Sequence, residues 1–214
     1  MAGNVPSKTR AHVMRMLAGG LFGAVGAGLF LTVAGKSNLD LGDPGTMLPV
    51  VAGLSYGLMG LAVGLGALAP GAGARFLNVE DADEIREQKR SLVPSAIVCM
   101  LIGAFLLILT ASSSLAASIG REAVALLAIG ALAAVVLITV ATRGRADELI
   151  RRISAEASAL ALHTALVVLG AWAVLAQLGY VGWMSPLSLI AGLAMLELAS
   201  IFAVSAARGL MSPR

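Results

Sequence analysis

The sequence predicts an all-α polytopic membrane protein, a bundle of six transmembrane helices. Three observations carry that expectation. Only 13% of the residues are charged and 58% are hydrophobic, whereas a soluble domain carries about 25% charged residues. Six apolar runs approach the roughly 20 residues that one hydrocarbon crossing requires. Runs such as Ala123 to Thr142 are continuous, which excludes the period-two alternation of a membrane barrel. Backbone in lipid must satisfy its own hydrogen bonds, so these runs are read as helices.

The chain, residues 1–214, reads as a single integral-membrane domain. A polar, basic start with Lys8 and Arg10 leads into span one, residues 17–34. That run exceeds the about 7–15 apolar residues of a signal peptide, so it is read as a span. Span two covers residues 48–68 and stops at Pro70. Loop 70–91 follows, and Asn78 is expected to cap a short helix within it. The acids Glu80, Asp81, Asp83 and Glu84 precede the bases Arg86, Lys89 and Arg90, an order that complements a helix dipole. Spans three (92–111) and four (123–142) are joined by a serine-rich connection. Loop 143–155 then leads into span five, 157–177, and a short turn with Tyr180 and Trp183 into span six, 186–207.

Ala146 to His163 begins with acids and then bases and runs into an apolar span, and the shorter Ala82 to Ser91 echoes it 64 residues earlier. The echo suggests duplicated two-helix hairpins, spans three and four and spans five and six. Of the 15 bases, only Lys36 and Arg121 fall on the side away from the N-terminus. By the positive-inside rule both termini and the loops 70–91 and 143–155 are cytoplasmic. The Asp-Glu segment ahead of a span resembles those of small bacterial membrane proteins. That resemblance names no activity and carries no site residues; the expected location is a bacterial inner membrane.

Small residues recur at four-residue spacing, a pattern that lets helix backbones approach closely. They are Gly19 and Gly23 in span one, then Gly53, Gly57, Gly60 and Gly64 in span two. The expected result is packing of span one on span two, with a homodimer face as the alternative. Polarity recurs every seven residues in span five, at Glu156, His163 and Gln177, with small Gly170 in the gap. Seven residues are nearly two helical turns, so these positions share one face. Span six holds Glu197, and an acid at mid-bilayer costs about 2.5–3.5 kcal/mol on insertion scales. Similar depths make a His163–Glu197 pair the expected contact.

Cys99 is the only cysteine, so no disulfide can form within the chain. No catalytic residue, metal site or cofactor is expected. The net charge of +3, with its bases at the membrane edges, argues against nucleic-acid binding. The expected partners are the lipid bilayer and a second copy or another membrane-complex subunit. The expected function is a non-enzymatic inner-membrane scaffold or subunit with partner-binding cytoplasmic segments. The alternative is a small proton-coupled secondary transporter using Glu197 and His163.

Overall fold

A computed structural model of the chain describes residues 43–76, 82–145 and 148–210, together with Gly26 and Gly28. Every regular element among them is helical. They are α1 (Pro44–Leu68), α2 (Pro70–Phe76), α3 (Ala82–Thr110), α4 (Ser112–Ile119), α5 (Arg121–Thr142), α6 (Glu148–Gln177) and α7 (Pro186–Ala207). A single 3-10 turn, Arg143–Arg145, follows α5. Five helices, α1, α3, α5, α6 and α7, are long and apolar enough to cross a membrane. These are spans two to six of the sequence reading. Span one lies outside the described residues except for Gly26 and Gly28, both helical; Asn78 also lies outside them.

The connections are more helical than expected. The segment 82–91, read as part of a loop, forms the first turns of α3, and the lead-in from Glu148 belongs to α6. The serine-rich connection is α4. At 1.5 Å per residue, the 29 residues of α3 and 30 of α6 reach about 45 Å. A hydrocarbon core is about 30 Å thick, so both helices have charged turns to spare beyond it.

Local chemistry sets the helix ends. Pro44 and Pro186 occupy first-turn positions, where a missing N–H costs nothing. Ser185 caps α7 by accepting the Ser188 N–H at 3.1 Å. Gly179 and Gly209 close α6 and α7 at φ 79° and 72°. The N–H groups of Tyr180 and Leu210 then reach back to the Leu175 and Ser205 carbonyls, a Schellman closure.

The five long helices form a row rather than a closed ring. Helices α1 and α3 make the closest pair; α5 packs on α3, α7 on α1, and α6 on α7. Four of them meet in one apolar core of Ala52, Phe105, Leu106, Ala128 and Ala191. Helix α6 stays outside it and joins α7 through buried Ala157, Ala161 and Ala165. Their four-residue spacing places three small side chains on one face.

Gly53, Gly60 and Gly64 of span two meet span three rather than the expected span one. A Cβ on Gly53 would lie 3.2 Å from the Gly103 carbonyl oxygen, and one on Gly60 2.7 Å from that of Ala96. A Cβ on Gly103 would in turn lie 2.7 Å from the Gly53 oxygen. Gly64 is looser, 3.5 Å from the Ala96 Cβ, and among the described residues a Cβ on Gly57 would meet nothing within 4 Å. Gly19 and Gly23 lie outside the described residues. Gly26 does sit against α1, because its Cβ would fall 2.5 Å from Leu58 Cδ2.

Overpacking against backbone typically costs about 1–3 kcal/mol or more. Gly60→Leu should therefore lower the thermal midpoint in detergent by ~5 °C or more, while Gly57→Leu changes it little. Equal midpoints for the two variants would contradict this crossing.

Candidate functional site

Several hydroxyls in the long helices are satisfied locally. Ser55, Ser95, Thr110 and Thr142 each donate to the carbonyl four residues earlier. The side chains that reach another helix are therefore few, and they gather along α7.

Half-buried Glu197 accepts a hydrogen bond from the Ser158 hydroxyl of α6, Oγ to Oε1 at 2.8 Å. One turn earlier on α7, the Ala194 carbonyl accepts the buried Tyr56 hydroxyl of α1 at 2.8 Å. Ser200 is buried one turn beyond Glu197. At the charged end of the same α6–α7 seam, Arg208 makes a two-point ion pair with Glu156, its Nε donating to Oε2 at 3.2 Å and its Nη2 to Oε1. Serine, glutamate, tyrosine and arginine thus fasten α1, α7 and α6 together at successive depths.

His163 takes no part. It is exposed, and its Nδ1 lies 2.7 Å from the Ala159 carbonyl oxygen on its own helix. A carbonyl can only accept, so Nδ1 carries the proton and Nε2 faces outward. The expected His163–Glu197 pair is corrected to Ser158–Glu197, and the error was one of azimuth. Ser158 and His163 are five residues apart, which turns the helix by about 140°. The buried face of α6 holds Ala157, Ala161 and Ala165; His163, Gly170 and Gln177 lie on the opposite side. The seven-residue stripe shares a face, and that face points away from α7. Glu156 reaches back from its edge through the long Arg208 side chain.

Sequence reading missed Ser158, Tyr56 and Arg208 as partners. The available signal was the Ala157, Ala161, Ala165 spacing, which marks the face that Ser158 adjoins.

The charged turns of α3 and α6 are stitched within their own helices. Arg86 pairs with Asp83 at 2.5 Å, Arg152 with Glu148 at 2.9 Å, and Arg151 with Glu148. Such exposed pairs contribute about 0.3–0.5 kcal/mol each. Among the described residues no group of three or more His, Cys, Asp or Glu side chains is placed to hold a metal ion. Cys99 is partly buried on α3 and is not in a disulfide.

The five long apolar helices fit an integral membrane protein. Comparison with known protein families, curated proteins and solved structures gives no match.

A double-mutant cycle separates the two pairings. Ser158→Ala and Glu197→Ala should couple by about 1 kcal/mol or more in thermal stability. His163→Ala and Glu197→Ala should add within ~0.5 kcal/mol. Coupling of the second pair and additivity of the first would contradict the geometry.

Proposed function

We propose that this chain is a non-enzymatic integral-membrane subunit that joins a partner membrane helix along the outward face of α6. The observation that supports it is the exposed His163 within an apolar span. Its Nδ1 is used by its own helix and its Nε2 has no partner among the described residues. Ionisable side chains inside membrane spans face protein or water and have a partner, because lipid offers none. An acceptor nitrogen facing outward fits a partner helix that presents an O–H or N–H.

Two features agree with this reading. Helix α6 packs principally on α7, so its opposite side is uncovered among the described helices. Gly170 on that side has open space where a side chain would stand, which suits close approach of another backbone. Gly26 touches Leu58, about 200° around α1 from the Tyr56 that faces α7. That contact lies on the side of α1 away from α6. The charged first turns of α6 continue the helix and offer the same partner a polar surface. In this reading the membrane is a bacterial inner membrane with those turns in the cytoplasm.

The transporter reading needs Glu197 and His163 in one wet site. Glu197 of α7 meets Ser158 of α6, whereas His163 faces away from α7, so the geometry supports the subunit reading better.

Photo-crosslinking in native membranes tests it. A benzophenone side chain at Val167, one turn from His163, should give a discrete adduct with a second copy or another membrane protein. His163→Leu should reduce that adduct about tenfold, the effect of ~1.4 kcal/mol. The same probe at Leu137 on α5 should give lipid adducts. Lipid adducts alone at Val167 would refute the proposal.

A further inference from the structure

A crevice of about 920 Å³ opens at the end of the bundle opposite the charged turns. Its floor is one face of α7, including Leu189, Gly192, Leu193 and Leu196. Its walls are the first turns of α1 and the last half of α6, where Val168 and Trp172 stand. From the start of α7 to Leu196 is ten residues, or about 15 Å of helix. That is half of a hydrocarbon core about 30 Å thick, the depth of one leaflet. The volume lies at the upper end of the roughly 300–1,000 Å³ usual for small-molecule sites.

The mouth differs from the floor. Trp172 and Trp183 stand there, with the Trp172 indole N–H donating to the Gly182 carbonyl at 3.2 Å. Among the described residues the only charged one lining the crevice is Asp43. Its carboxylate makes no cap to the α1 backbone and accepts the Thr46 hydroxyl at 3.1 Å. No described cation pairs with it. Among the described residues no arginine or lysine lines the crevice, so a net-anionic headgroup would find no countercharge from them.

We propose that this crevice binds one phospholipid with an ammonium headgroup. An acyl chain fills the apolar floor, and the ammonium lies between Asp43 and the tryptophan faces. A cation gains from both a carboxylate and an aromatic face, and both gains grow where water is partly excluded. The site is separate from the outward face of α6 and does not depend on the assembly reading.

The test is native mass spectrometry of the full chain in mild detergent, titrated with phosphatidylethanolamine or phosphatidylglycerol. The unmodified chain should retain one phosphatidylethanolamine and prefer it about tenfold over phosphatidylglycerol. Asp43→Asn should erase that preference while leaving the Thr46 hydrogen bond an acceptor. Gly192→Leu should abolish retention of either lipid. Among the described residues a Cβ on Gly192 meets nothing within 4 Å, so the added side chain occupies the crevice rather than the packed core. An unchanged thermal midpoint confirms that this variant is folded; if it falls, Leu193→Trp serves as the second filling variant. Equal retention of the two lipids by the unmodified chain overturns the proposal. So does a preference that survives Asp43→Asn, or retention that survives filling of the crevice.

Discussion

The close crossing of α1 and α3 is the contact on which the rest of the bundle depends. Lipid tails are as apolar as leucine, so helices in a bilayer gain little from hiding apolar surface from one another. Association must come from backbone proximity and a few hydrogen bonds. Gly53, Gly60 and Gly103 permit that proximity, with carbonyl oxygens standing where their side chains would be. Helix α5 then rests on α3 and α7 on α1, and four helices share the small core around Phe105 and Leu106.

Helix α6 is held differently. Its seam with α7 uses alanines for closeness and two polar contacts for register, Ser158 with Glu197 and Glu156 with Arg208. Both contacts fall on the charged half of the seam. Towards the other end α6, α7 and α1 part to form the Trp172 and Asp43 crevice. The same arrangement turns His163 outward. One helix therefore has a fastened side, a crevice side and a polar side with no described neighbour.

The positions of spans two to six were legible because membrane crossing is a matter of length and hydropathy. The four-residue spacing in span two was legible as a close-packing face, but its partner was not. Any neighbouring helix with a small residue satisfies the same pattern, and Gly103 of α3 does so. The depth of His163 was readable from the chain, whereas its azimuth was not. In water an apolar face marks the core; in lipid both the buried and the lipid-facing sides are apolar. The difference survives only in residue size, as at Ala157, Ala161 and Ala165. The charged turns were read as lying in loops apart from the spans, with a short separate helix in the first, because charge ends a span. It does not end a helix, since acids first and bases after stabilise the turns they occupy. The function was less legible than the fold, because the sequence offers no reaction motif.

The central claim is that α6 turns Ser158 towards Glu197 and His163 away from the bundle. Its most direct measurement is intramolecular crosslinking by a short bifunctional thiol reagent in a Cys99→Ala background. With cysteines replacing Ser158 and Glu197, the reagent should join α6 to α7 in nearly every chain. With cysteines replacing His163 and Glu197, it should leave them unjoined. A ready crosslink from position 163 and none from position 158 would contradict the account.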